Sequence, residues 1–312
     1  MHILVTGASG FVGTVLCREL LLRGHSVRVC VRSAVLRPTG PSDLQQVHVP
    51  DLAAEFDRRE LIDGVEAVVH LAAIAHRAAT EAEIRRVNVD ATLRLAEAAT
   101  GRVRRFVFLS SVKVHGEESG GGAYGESDTP LPEDSYGRSK LAAERGLTDL
   151  AERTGMELVM VRPPLVYGPG VKANFLRLLR WVDSGWPLPF ATLHNRRSLI
   201  YVGNLADAIV RCVTHPAARG AFLVGDAESV STPELVSRIA LALDRPNRLV
   251  PVPLSILRLA GMLAGRREEM RRLTGDLAVD TSRARRLLDW RPPVTLDQGL
   301  AETARWFRSA RG

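Results

Sequence analysis

The stretch Thr6–Gly13, TGASGFVG, constrains this chain more than any other part of it. It follows an apolar run, His2–Thr6, and opens a stretch, Val12–Arg23, in which Val12, Val15, Leu16 and Leu20 recur at helical spacing. Between a strand and a helix, each glycine has its own task. Gly7 permits the tight turn, Gly10 lets the backbone approach a pyrophosphate, and Gly13 lets the helix pack closely on the strand. Phe11 and Val12 sit at the helix start, where free backbone N–H groups face phosphate. Three glycines alone are a weak sign; the strand before and the helix after supply the context that a dinucleotide site needs. A merely structural tight turn is the alternative.

The rest of the first half repeats this alternation. Strands are expected at Ser26–Arg32, Gln46–Val49, Ala67–Leu71, Arg105–Ser110 and Glu157–Arg162, and helices at Arg58–Ile62, Ile84–Ala99 and Tyr136–Thr154. The strand candidates are continuous Val/Ile/Leu runs, as a sheet covered on both faces requires. The pattern predicts an α/β fold with a Rossmann-type doubly wound parallel sheet. After Gly168 the character changes. Pro169–Arg197 is rich in Pro, Trp and Arg, and the remainder reads as mostly helical apart from Ser198–Val202 and Ala221–Val224. The expected division is a nucleotide-binding domain over 1–167, to which the chain returns around 198–225, and a smaller, mostly helical substrate domain over 168–312.

Composition narrows the partners. The net charge is +7, carried by 39 Arg and only 3 Lys, scattered in singles and pairs; aromatics are 5% and do not interleave with them. That argues against a nucleic-acid surface and for a few arginines turned toward a small anion. Cys17, Cys30 and Cys212 are far apart and lack metal-ligand spacing, so reduced thiols and no metal are expected. The longest apolar stretch, Val252–Gly265, is interrupted by Arg258 and is too short to cross a bilayer. With a strand starting at residue 1 in place of a signal segment, a cytoplasmic protein without membrane insertion is expected. The three lysines, Lys113, Lys140 and Lys172, are worth examining in a chain that uses arginine for general charge, because an ammonium has an adjustable pKa.

The acidic residue that would hold an adenosine ribose about 20 residues past the glycines is missing. Arg32 stands there instead, either as a contact to a 2′-phosphate, which would favour NADP over NAD, or as a solvated arginine at a strand end. Asp51 and Leu52, after the third strand, are placed to meet the adenine edge. Leu71, Ala72 and Ala73, ending the fourth, would let the backbone lie against the cofactor.

Tyr136 and Lys140 lie four apart, on one face of a helix. A free phenol is a poor acid–base at neutral pH, but a nearby ammonium and an oxidised nicotinamide both favour its phenolate. Tyr136 could then exchange a proton with a sugar oxygen while the nicotinamide exchanges hydride. Ser111, at the end of the fifth strand, would hydrogen-bond the same oxygen.

In order, TGASGFVG, HLAA, LSSVKVHGE, YGRSK, RPPLVYGPG, RRSLIYVGNLADAI and LLDWRPPVTLDQGLAET resemble the extended short-chain dehydrogenase/reductases, a family that includes UDP-glucose 4-epimerase. The resemblance spans nearly the whole chain. It implies catalytic Ser111, Tyr136 and Lys140, a supporting Asn88, a cofactor contact at Pro163, a nucleotide contact at Asn174 and a diphosphate contact at Arg197. For Asn174 and Arg197, surface or packing roles are the alternative. It further implies a homodimer, formed through the helices carrying Asn88 and Tyr136. Ser111-Val112-Lys113 lacks the carboxylates with which the family's dehydratases eliminate water. The run SSVKVHGE is similar to that of reductases acting on UDP-4-keto-6-deoxy-N-acetylhexosamines in surface-polysaccharide synthesis. The expected function is therefore such a reductase, with a UDP-sugar 4-epimerase as alternative and a non-catalytic dinucleotide sensor as a third reading. Lys113 could reach the sugar or the diphosphate, or face solvent. His115 stands where the epimerases usually have Tyr, and an ordinary polar role beside the pocket is one reading of it.

Overall fold

The computed structural model describes residues 1–32, 44–49, 51–75, 79–263, 265 and 267–310. The strands among the described residues are β1 (His2–Thr6), β2 (Ser26–Val31), β3 (Leu44–His48), β4 (Ala67–His70), β5 (Arg105–Leu109), β6 (Glu157–Arg162), β7 (Leu165–Tyr167), β8 (Arg197–Tyr201), β9 (Gly220–Leu223) and β10 (Ser229–Val230). The first-half helices are α1 (Phe11–Leu22), α2 (Arg59–Ile62), α3 (Glu81–Arg85), α4 (Ala91–Ala99) and α5 (Ser135–Thr154). They are followed by α6 (Ala173–Ser184), α7 (Val202–Thr214), α8 (Thr232–Ala242), α9 (Leu254–Leu263), α10 (Arg267–Thr274), α11 (Ser282–Leu288) and α12 (Leu296–Ser309).

Seven strands make one parallel sheet in the order β3-β2-β1-β4-β5-β6-β9. Alternating side chains bury both faces. Ile3 and Val5 enter the core beneath α1 and α7, while Leu4 enters the core beneath α4 and α5. The strand order reverses between β1 and β4, so their carboxyl ends open the crevice where ligands bind in doubly wound sheets. A smaller sheet, β10-β8-β7, stands beside a third core built by α6, α8 and α12. Of the two later strand-like pieces, Ser198–Val202 corresponds to β8 of this small sheet, with Val202 already opening α7, and Ala221–Val224 corresponds to β9 of the main one. Pro169–Arg197 contains α6.

The stretch Ile84–Ala99 is helical throughout, as expected, but not all of one type: it consists of the end of α3, a π-helical turn over Arg86–Asp90, and α4. The wider turn lets Asn88 reach inward to the backbone after β4, and π-turns of this kind gather at functional sites. No helix among the described residues is long and apolar enough to cross a membrane, and no cluster of His, Cys, Asp and Glu among them could hold a metal. The three cysteines are free and buried.

Candidate active site

The β1–α1 turn is built around contacts that leave no room for a side chain. A Cβ on Gly7, which has φ +70°, would lie 2.8 Å from the Ala72 nitrogen, and one on Gly13 would lie 2.2 Å from the Gly7 carbonyl oxygen. Gly7 therefore lets β1 touch Leu71 and Ala72, and Gly13 lets α1 rest on the turn. A Cβ on Gly10 would meet only the Gly7 oxygen within 4 Å. The first turn of α1 carries no acidic residue, and Gly10 offers no side-chain cap, so its N–H groups are left for an anion. Half-buried Phe11 and Val12 flank them, together with Leu71, Ala72 and Ala73. This cradle fits a dinucleotide pyrophosphate.

At the outer end of the crevice β2 stops at Val31, and Arg32 is exposed just beyond it. Asp51 accepts from Arg86 Nη1 at 2.7 Å and from the Ala53 N–H at 2.8 Å. These two bonds, together with the charges of Arg86 and Arg32, hold its carboxyl below the ordinary range. Leu52 is half-buried beside it. The corner thus has two arginines and a carboxylate already engaged.

At the switch point His70 is fully enclosed. Its ring nitrogens lie 2.8 Å from the Thr6 hydroxyl and 2.9 Å from the Thr92 hydroxyl, and burial, helped by Lys140, pulls its pKa down to about 3. Asn88, 0% exposed, accepts from the Ile74 N–H at 2.7 Å and donates to the Ile74 carbonyl and the Ser139 hydroxyl at 3.0 Å each. It therefore ties the segment after β4 to α5. The Val112 N–H donates to the Pro163 carbonyl at 2.9 Å, joining the ends of β5 and β6.

Ser111 caps a 3₁₀ turn over Val112–Val114. Its Oγ accepts from the Lys113 N–H at 3.3 Å, which leaves its own proton for another acceptor. Tyr136 lies in the first turn of α5, and Lys140 follows one turn later, its Nζ 5.8 Å from the phenol ring centroid. The ammonium is 2% exposed, donates to the Leu109 carbonyl at 2.7 Å and lies over the Phe108 ring. Burial pulls its pKa from 10.5 down to about 7, against the opposing pull of Glu144. Burial also raises the Tyr136 phenol above its usual value, and the Asp134 carboxylate adds to that. Ser111, Tyr136 and Lys140 therefore gather at the carboxyl end of β5.

Further along the crevice, Arg197 at the start of β8 donates to the Gly275 carbonyl at 2.9 Å, and burial pulls its guanidinium down to about 10. A desolvated cation of this kind suits a diphosphate. Asn174, in the first turn of α6, is exposed. His115 is buried, stacks on Tyr124 and receives a hydrogen bond from Arg162 Nη1 at 3.0 Å. Because a guanidinium can only donate, Nε2 accepts and the ring proton sits on Nδ1. His115 is thus a packed residue behind the pocket wall, beside the buried Arg162–Glu144 pair.

Lys113 is partly buried and engaged by two carboxylates. Its Nζ lies 2.6 Å from both Glu117 Oε1 and Asp134 Oδ2. Glu117 also pairs with Arg272 of α10 at 3.2 Å. Sequence reading did not single out Glu117, Asp134 or Arg272. Asp134 had a local signal, as an aspartate one residue ahead of a helix start; Glu117 and Arg272 meet only through the tertiary fold.

Known proteins agree with this architecture. The description of the NAD dependent epimerase/dehydratase family matches residues 3–225. The chain belongs to that family. It is an enzyme of the extended short-chain dehydrogenase/reductase group, in a family of NAD-dependent members. It is 44% identical over 317 residues to a UDP-glucose 4-epimerase of Vibrio cholerae, covering 99% of this chain and 96% of that protein. Among solved structures, MoeE5 in complex with UDP-glucose and NAD superposes with a TM-score of 0.80 at 28% identity over 100% of both chains. UDP-glucuronic acid 4-epimerase from Bacillus cereus in complex with NAD shares the fold, with a TM-score of 0.80 at 23% identity over 100% of both chains.

Proposed function

We propose that this protein is a UDP-sugar 4-epimerase that works with a retained NAD. This departs from the reductase expected from SSVKVHGE. The observation that carries it is the full-length 44% identity to a protein named UDP-glucose 4-epimerase. The grouping of Ser111, Tyr136 and Lys140 at the end of β5 supports it.

When bound, NAD would take hydride from the sugar's C4 and return it. In this reading Gly7, Gly10, Gly13 and the α1 N-terminus hold the pyrophosphate, with Phe11, Val12, Leu71, Ala72, Ala73 and Pro163 around it. Asp51 and Leu52 border the adenine, and Asn88 supports the segment after β4. Tyr136 accepts the C4 hydroxyl proton, Ser111 donates to the same oxygen, and Lys140 lowers the cost of the phenolate. Arg197 pairs with the substrate diphosphate, and Asn174 with the nucleotide. Residues 1–167, with the return through β9, form the cofactor half, and 168–312 the sugar half. The enzyme would act as a cytoplasmic homodimer on small UDP-sugars.

Interconversion of UDP-glucose and UDP-galactose without added cofactor tests the reading. Tyr136→Phe should lower that turnover by about 10²–10⁴-fold with NAD affinity little changed. Full activity in this variant sinks the assignment.

A second reading, an NADPH-dependent 4-keto reductase, is favoured by one observation: Arg32 and Arg86 both bear on Asp51, and Asp51 is already engaged. Stoichiometric NADPH oxidation with a UDP-4-keto-6-deoxy-N-acetylhexosamine, no epimerisation, and reversal of cofactor preference by Arg32→Asp would establish it in place of the first.

A further inference from the structure

The Ser111 loop and the Tyr136 helix meet at Lys113. The Lys113 carbonyl lies 2.7 Å from where a Cβ on Gly137 would stand, so loop and helix touch through backbone. The side chain of Lys113 spans the same junction. Its ammonium joins Glu117, on the loop, to Asp134, which caps α5 by accepting from the Gly137 N–H at 2.6 Å. The Glu117 N–H donates to Glu133 at 3.1 Å, and Arg272 approaches Asp134 at 3.9 Å. Glu117 is 5% exposed, so its charge has little water to rely on.

We propose that Lys113 is a positioning residue, whose ammonium fixes Ser111 against Tyr136 by bridging Glu117 to Asp134 and offsets the Asp134 charge beside the phenol. The inference rests on the catalytic reading of Tyr136, and it gives Lys113, the second lysine of the site beside Lys140, a role other than binding the sugar.

Two of the three ammonium protons are already held by carboxylates at 2.6 Å, which suits a brace better than a substrate contact. Asp134, at the cap of α5, bears directly on the phenol, and Lys140 of α5 lies 5.8 Å from its ring centroid. Asp134 is faced in turn by Lys113 of the loop and Arg272 of α10, both also paired with Glu117, while His70 of β4, held neutral, is influenced by Lys140. Burial pushes the Asp134 carboxyl up, but the hydrogen bonds from Lys113 and Gly137 outweigh it, so Asp134 stays ionised next to a tyrosine that must lose a proton. That charge already raises the phenol with Lys113 in place, and without Lys113 it opposes the phenolate more strongly.

The test uses Lys113→Met, Asp134→Asn and the double variant in the full-length protein. Asparagine keeps the helix cap while removing the charge. The readouts are ultraviolet difference titration of the phenol, with Tyr136→Phe subtracted, with and without NAD, and the split of kcat and KM. Lys113→Met should raise the Tyr136 titration by about one unit and lower kcat at neutral pH about tenfold, with KM for the UDP-sugar within about twofold. Adding Asp134→Asn should bring the titration back down, and Lys113→Arg should retain most of the turnover. An unchanged titration and kcat with a KM raised about tenfold would make Lys113 a substrate contact and overturn the proposal. So would a double variant that titrates like Lys113→Met. Should Lys113→Met fail to fold, Asp134→Asn alone must lower the titration, and no change overturns the proposal. The titration reads the brace whatever the sugar chemistry, whereas activity retained in Tyr136→Phe tells against the catalytic reading itself.

Discussion

The side-chain amide of Asn88 donates to the Ser139 hydroxyl at 3.0 Å, and that hydroxyl donates in turn to the Tyr136 carbonyl at 2.8 Å. One buried amide therefore connects the backbone after β4 to the helical turn that carries Tyr136. Asn88→Leu keeps much of the volume but leaves the Ile74 N–H and carbonyl without their partner. The expected loss is about 3 kcal/mol of unfolding free energy. Denaturant unfolding measures it, and a midpoint equal to that of the parent would refute the strut.

Gly13→Ala tests the packing of α1 on the turn. The new Cβ would lie 2.2 Å from the Gly7 oxygen and 2.7 Å from the Ala8 Cα, both rigid backbone. The helix must move outward, taking its N–H groups away from the phosphate position. Stability should fall by about 1–3 kcal/mol, and NAD affinity should fall with it. Calorimetric titration with NAD is the check; unchanged affinity would mean that the α1 N-terminus does not hold the cofactor.

Lys140 makes stability depend on pH in a defined direction. Its pKa falls from 10.5 to about 7 on folding, so between those values the unfolded chain binds more protons than the folded one. Stability attributable to this residue therefore rises with pH through that window, and the cost of burying the ammonium is fully present below it. Relative to Lys140→Met, the parent should gain unfolding free energy between about pH 7 and pH 10. Urea melts of both proteins across that range give the difference; a flat or falling difference would contradict the buried position of the ammonium.

The central fold was legible in the sequence because β1, β4, β5 and β6 are each built on an uninterrupted apolar run, while β2 is interrupted only by the buried Arg28. The places of Gly7, Gly13, Ser111, Tyr136 and Lys140 could be read because each is set locally, at a strand end or within one helical turn. The π-turn at Arg86–Asp90 could not be read, because one extra residue per turn leaves the apolar pattern of Ile84–Ala99 almost unchanged. The charge cluster was hidden differently. Lys113, Asp134 and Arg272 come from a loop, a helix cap and a late helix, and only the closed fold brings them within ion-pair distance. Arg32 shows a further limit, since its place at the end of β2 was readable but its neighbour Arg86 was not.

The seventh strand of the main sheet comes late in the chain. β9, at Gly220–Leu223, pairs with β6, and Trp290 packs into the same core as Ile3. A growing chain that has already made the glycine turn and all of α5 must still wait for these pieces, at about 5–20 residues per second, before that core is filled. During the wait β6 presents an unpaired apolar edge, the kind of surface on which nascent chains join the wrong partner. Arrival of β9, rather than completion of the glycine turn and α5, thus marks the moment at which β6 loses its open edge.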